Sequence, residues 1–173
     1  GFCTVFLDAL IEAATDDRWF HHGQGMGDPN IDRFTLLPTL EAYRLLADAL
    51  TPPLQERFLV KLRGILDVQY NEYGAGSRQG FPEGPYPNMD VYYCLIMLHG
   101  YQLTGDARWQ REFEEYLQLL ADAQFDDGGW TYIKGTNECP TYHNINVLLM
   151  ARIHELSGSP KAEAQVRRSI PYY

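Results

Sequence analysis

The sequence has no apolar run long enough to cross a bilayer. The longest, Val91 to Leu98, includes two tyrosines and falls well short of the roughly 20 residues a spanning helix needs. Basic residues are scarce: 14 Lys and Arg stand against 23 Asp and Glu, a formal charge of −9 and a pI near 4.9. That balance argues against a nucleic-acid partner, which requires neutralising a phosphate backbone. It leaves anionic ligands open, because a local Arg or Lys can outweigh the global sign. Cysteine is also sparse. Cys3, Cys94 and Cys139 lack metal-ligand spacing, and Cys94 sits in an apolar stretch where a buried thiol is the ordinary outcome. One disulfide among the three remains open. There is no phosphate-binding glycine loop, no nucleophile elbow and no Cys–His pair. The adjacent His21 and His22 cannot easily address one ion and no HxH or HxxxH accompanies them, so neither a metal nor a cofactor is expected. No secretion signal is visible and the chain starts at Gly1, which suggests a processed or excised piece of a larger parent.

What the sequence does contain is a repeat. Pro87-Asn88-Met89-Asp90-Val91 is foreshadowed by Pro29-Asn30-Ile31-Asp32-Arg33 and echoed by His143-Asn144-Ile145-Asn146-Val147. The asparagines at 30, 88 and 144 lie 58 and then 56 residues apart. Each copy closes a glycine- and proline-rich loop and opens an apolar run, the pattern of a loop feeding a buried helix. Repeats of this length mean stacked helical hairpins.

The elements follow from periodicity. A first helix over residues 2–14 aligns Phe2, Phe6, Leu10 and Ala13. A second, over 32–50, turns Leu36, Leu37, Leu40, Tyr43, Leu46 and Leu50 inward. The third, from Leu54 to about Gln69, carries Leu54, Phe58, Leu62, Ile65 and Leu66 on one stripe. The fourth, from Asp90 to Leu103, is apolar all round and therefore buried on every side. The fifth, Ala107–Gln124, presents Trp109, Phe113, Tyr116, Leu117 and Leu120, with Glu112 mostly off that face. Trp130 to Ile133 reads as a short extended piece. The third buried helix runs from Asn144 to Leu156, and a last amphipathic helix covers Lys161–Ser169. The short turns, Thr51–Pro53, Thr104–Asp106 and Ser157–Pro160, fall at one end and the long loops at the other, where function usually resides.

Buried helices alternating with amphipathic ones, together with Leu103-Thr104-Gly105-Asp106 at an inner-to-outer turn, resemble the (α/α) toroid enzymes. That superfamily includes polysaccharide lyases of the heparinase and alginate-lyase type and several glycoside hydrolases. Gln124-Phe125-Asp126-Asp127-Gly128-Gly129-Trp130 also resembles the QW motif of triterpene cyclases and serves here as a fold marker, since the acidic cyclisation motif of that family is missing. The resemblance implies an all-α chain of about three hairpins, a partial or open ring forming a single domain over 1–173, with a polysaccharide or oligosaccharide substrate and an extracellular or periplasmic setting, a cytoplasmic one staying open.

It also implies roles for residues at the helix mouths. In the toroid lyases an Asn or similar group neutralises a uronate carboxylate while Tyr or His removes the C5 proton and protonates the leaving O4. By resemblance, Asn88 or Asn144 is the neutraliser, His143 the base, and Tyr142 or Tyr92 the acid. Asn30, Asp32, Arg33, Arg78, Trp130 and Lys134 are the binding residues around them. The competing chemistry is hydrolysis by paired carboxylates, Asp90 with Asp32, Glu83 or Glu138. A terpene-cyclase-like or epimerase enzyme and a non-catalytic glycan-binding scaffold complete the alternatives. For Asn30, Asp32, Asn88 and Asp90 the plain alternative is N-capping, worth about 1 kcal/mol each. For Trp19, Phe20, Phe81, Tyr86, Tyr92 and Trp130 it is packing rather than stacking on sugar.

Overall fold

The computed structural model describes residues 2–13, 29–73, 86–132 and 139–172, without the side chains of 2, 3, 13, 29–31, 72 and 73. Among the described residues the chain is all α, with no strand. Seven helices follow in order: α1 (Phe2–Ala13), α2 (Pro29–Leu46), α3 (Pro52–Tyr73), α4 (Pro87–Thr104), α5 (Ala107–Asp122), α6 (Pro140–Ser157) and α7 (Pro160–Ser169). Five of them begin on proline, whose missing N–H costs nothing in a first turn and whose fixed φ starts the helix.

The inner-to-outer turns explain why the hairpins repeat. Gly105 and Gly158 end α4 and α6 in the left-handed conformation, at φ of 70° and 66°, and there Gly has no Cβ to strain. The Asp106 carboxylate then accepts from Arg108 N to cap α5, and the Ser159 hydroxyl accepts from Ala162 N to cap α7. Thr104 and Ser157 donate to the carbonyls of Gly100 and Ile153, four residues back, in matching fashion. These two turns lie 53 positions apart, as do Pro87 and Pro140. The structural register of the third repeat is therefore 53, not the 56 suggested by aligning Asn88 with Asn144. In this register Asp32, Asp90 and His143 are equivalent, and so are Glu41, His99 and Arg152.

Helices α2, α4 and α6 form an inner row and run parallel. Arg33 meets Met89, Arg44 meets Gln102, and the Gln102 amide donates to Leu156 O, at sequence separations of 56, 58 and 54. Helices α1, α3, α5 and α7 form the outer row, linked by Arg57–Asp8, Arg108–Asp67 and Lys161–Gln118. The core lies between the rows. Val91 and Tyr93 to Met97 have no exposed surface, as the all-round apolar pattern of α4 predicts. Each such aliphatic side chain contributes about 1.5–3 kcal/mol of burial. The stripes of α3 and α5 are buried as expected, and Tyr43 stacks on Phe58 with ring centroids 4.0 Å apart.

The inner row is tied across its middle by Glu41, His99 and Arg152. Glu41 accepts from Arg152 Nη2 at 2.6 Å and Nε at 2.9 Å, and it lies 3.1 Å from His99 Nε2. Burial pushes the His99 imidazole down to about 4 despite Glu41, so this contact is a neutral Nε2–H donating to a carboxylate, not an ion pair. The Arg152 hydrogen bonds hold Glu41 below the usual carboxylate range.

Several expectations are corrected. In α1, Leu7 and Ile11 are buried whereas Phe6 is 56% exposed, so the inward stripe is one residue away from Phe2-Phe6-Leu10. Helix α6 starts at Pro140, four residues before the expected Asn144, and it is buried on one side only, through His143, Asn146, Met150 and Ile153. Glu112, expected off the buried face, is buried and accepts from the Tyr93 hydroxyl at 2.9 Å. Among the described residues the extended piece at Trp130 shows single bridge positions at Trp130, paired with Gln124, and at Thr131, and Ile133 lies outside the described residues. Cys94 and Cys139 are free thiols.

Candidate functional site

The first turns of α2, α4 and α6 share one end of the inner row, so three helix N-termini bring their partial positive charge there. Asn88 is the second residue of α4 rather than its cap, which is Tyr86. Asn88 is buried, and its Oδ1 has no hydrogen-bond partner among the described residues. A buried amide oxygen without a donor costs about 1–3 kcal/mol, so this atom is held at an expense that capping does not explain.

Asp90, two residues on, caps the helix instead, its Oδ2 accepting from Tyr86 N at 2.9 Å. Burial raises its pKa from 3.8 to about 7, with the Tyr86 N–H and Arg33 pulling the other way. Near pH 6 the carboxyl is therefore mostly protonated and able to donate a hydrogen bond. An acid whose folded pKa lies above its unfolded value contributes stability below the unfolded pKa, and loses it as pH rises through the folded one. For a rise from 3.8 to about 7 the loss is about 4 kcal/mol, complete near pH 8. We expect Asp90→Asn, which keeps an oxygen for Tyr86 N, to flatten the fall in stability between pH 4 and 8. Urea unfolding across that range measures it, and an unchanged slope would remove Asp90 as its source.

Arg33, expected to grip substrate, lies in the interior at 2% exposure. Its Nε donates to Gln69 Oε1 at 3.0 Å, its Nη1 to Met89 O at 3.1 Å, and the guanidinium lies 5.0 Å from the Tyr93 ring centroid. It ties α2, α3 and α4 together beneath the mouth. Asp32 is buried beside it in sequence. Tyr92 is half-buried with its ring edge-on to Phe34 at 4.9 Å, and burial raises its phenol pKa.

The early start of α6 separates the three residues expected to act together. Consecutive helical residues point about 100° apart, so Asn144 is exposed, His143 is buried, and Tyr142 lies between these extremes. The His143 ring packs 4.1 Å from Tyr172 and 5.7 Å from Trp130. Tyr142 stacks on Tyr132 at 4.5 Å and 6°, and Tyr132 meets Tyr86 at 6.0 Å. The hydrogen bond with Tyr132 raises the Tyr142 phenol pKa, so Tyr142 keeps its proton at neutral pH. Beneath, Asn146 is buried with neither amide atom partnered among the described residues.

Trp130 is 1% exposed and donates to Leu120 O at 3.0 Å, so its indole belongs to the core. The Gln124–Trp130 stretch acts as a staple: Gln124 Nε2 reaches Gly128 O, Gln165 O and Ser169 Oγ, joining α5 to α7. Arg78, Lys134, Glu83, Glu138, His21, His22, Asp28, Trp19, Phe20 and Phe81 lie outside the described residues, as does the side chain of Asn30. Sequence reasoning missed the Tyr132–Tyr142 pair and the Glu41–His99–Arg152 tie. The second was visible in the Leu-Thr-Gly-Asp and Leu-Ser-Gly-Ser turns, which set the register that aligns those three positions.

Among the described residues no group of three or more His, Cys, Asp or Glu is placed to hold a metal ion, and no helix is long and apolar enough to cross a membrane. Comparison with protein-family models, with curated proteins and with solved structures finds no match.

Proposed function

We propose that the hairpins form part of an open (α/α) toroid and that the chain cleaves a uronate-containing polysaccharide by β-elimination at the mouth of α4 and α6, in an extracellular or periplasmic setting. The observation that carries this reading is the buried, mostly protonated Asp90 beside the buried amide of Asn88 in the first turn of α4, two groups able to donate to an anion. The Asn88 Nδ2–H and a protonated Asp90 would hold the substrate carboxylate by donated hydrogen bonds, drawing charge from the sugar C5 and acidifying its proton, while the free Asn88 Oδ1 would accept from a substrate hydroxyl. His143 would take that proton. The C5–H electrons form the C4–C5 double bond, the C4–O4 bond breaks, and Tyr142, which keeps its proton at neutral pH, supplies it to the departing O4. Tyr86 and Tyr132 would flank the sugar with aromatic surface.

A glycoside hydrolase is the second reading, favoured by one observation: Asp90 titrates near 7, in the range of a general acid, and Asp32 is its repeat equivalent on α2. Two variants separate the readings. Under elimination Asp90→Asn retains most of the activity, because an amide still donates to a carboxylate, and Tyr142→Phe loses roughly 10²–10⁴ of the rate. Under hydrolysis the pattern inverts. Product release by each variant, measured on folded protein, decides between them.

A further inference from the structure

The α4–α5 hairpin joins its two helices through buried polar side chains. The Tyr93 hydroxyl donates to Glu112 Oε1 at 2.9 Å, and the Tyr93 and Tyr116 ring centroids lie 4.4 Å apart. The α6–α7 hairpin repeats this arrangement 53 positions on, Pro140 matching Pro87 and Pro160 matching Ala107. Asn146 therefore stands where Tyr93 does, Gln165 where Glu112 does, and Ser169 where Tyr116 does. All three are buried.

The shorter side chains do not close on one another. Neither atom of the Asn146 amide has a hydrogen-bond partner among the described residues, and Gln165 Oε1 has none either. The orientation of Gln165 is fixed from behind: its Nε2 donates to Leu117 O and Lys161 O, each at 3.4 Å, so the unmet atom is the acceptor. One donor and two acceptors thus lie buried where the preceding hairpin holds two phenol rings. The described chain itself encloses these atoms. Buried polar groups of this kind are ordinarily met by ordered water. His143 precedes Asn146 by three residues on the buried face of α6, a spacing that makes their side chains neighbours.

We propose that ordered water inside this hairpin links Asn146 and Gln165 to His143, and that Asn146 is the positioning residue for the imidazole. The purpose of this positioning rests on the elimination reading above, in which His143 is the base. One water accepts from the Asn146 amide N–H and donates to Gln165 Oε1. A second accepts from a ring N–H of His143 and donates to Asn146 Oδ1. With one ring nitrogen committed as donor, the other keeps its lone pair, the form a general base requires.

Nitrogen-15 NMR of the histidine rings tests the link, with the His143 signals identified by their loss in His143→Gln. The native chain should hold neutral His143 in a single tautomer, and the Asn146 side-chain amide should show cross-peaks to long-lived water. Asn146→Leu should give a mixture of tautomers, and Asn146→Asp, which keeps the acceptor, should restore the single form. Gln165→Leu, on the other helix, should also give a mixture, which provides a second readout should Asn146→Leu fail to fold. Under elimination, Asn146→Leu should lower kcat by roughly 10²-fold with KM unchanged. A tautomer that neither Asn146→Leu nor Gln165→Leu disturbs would overturn the proposal, and so would an Asn146 amide without water cross-peaks. An inactive native chain with the expected spectra would instead strike the elimination reading and leave the link in place.

Discussion

Gly128→Ala should lower stability by about 3 kcal/mol, a fall of roughly 6–12 °C in Tm for a chain of this size. Two costs combine at this position. Gly128 holds φ at 95°, which strains any residue with a Cβ. A Cβ there would also sit 1.9 Å from Arg168 O and 2.7 Å from its carbonyl carbon, at the end of α7. That neighbour is backbone and cannot rotate away, so α7 or the turn must shift. The shift would disturb the Gln124 amide, which bonds Gly128 O and Gln165 O together. Gly105→Ala is the matched control. It has a similar positive φ of 70° but nothing within 4 Å of the added carbon, so it should cost only about 1 kcal/mol. Thermal unfolding of the pair measures the difference, and equal losses would show that the turn does not press on α7.

Asn88→Ala should abolish most of the proposed activity, by roughly 10²–10³ in kcat, without loss of stability. The second half of that expectation distinguishes a binding group from a cap. A capping Asn replaced by Ala costs about 1 kcal/mol, but the Tyr86 N–H at the start of α4 is already satisfied by Asp90. Removing a buried amide oxygen that has no partner among the described residues relieves a penalty instead. A variant that is folded, at least as stable as the parent, and inactive would mark Asn88 as kept for chemistry. Equal loss of stability and activity would return it to the scaffold.

The parts of the fold legible in the sequence are those where one face decides burial. Helices α3 and α5 carry a single apolar stripe each, and every residue assigned to it is buried. Helix α4 is apolar on all sides and lies at the centre of the inner row. Helix α1 is ambiguous for a physical reason: Val5, Phe6, Leu7, Leu10 and Ile11 spread apolar surface over several faces, and packing against α2 and α3 selects Leu7 and Ile11. The start of α6 is displaced because Asn144 looks like Asn88 in sequence, whereas Pro140 is the residue that begins the helix. That displacement matters most for the site. It turns three residues expected in one loop into three directions on a helix, burying His143 and exposing Asn144. The interior place of Arg33 is not legible either, since nothing local shows that Gln69, the Met89 carbonyl and the Tyr93 ring would surround it.

The central claim, elimination at a uronate, is tested most directly by the ultraviolet absorbance of an unsaturated product. The chain is incubated with alginate, glucuronan, chondroitin, heparin and pectin in turn, and new reducing ends are assayed in parallel. Absorbance rising in step with reducing ends on one of these polymers is the expected result, and it names the substrate. Reducing ends without absorbance would contradict elimination and leave Asp90 as the acid of a hydrolase.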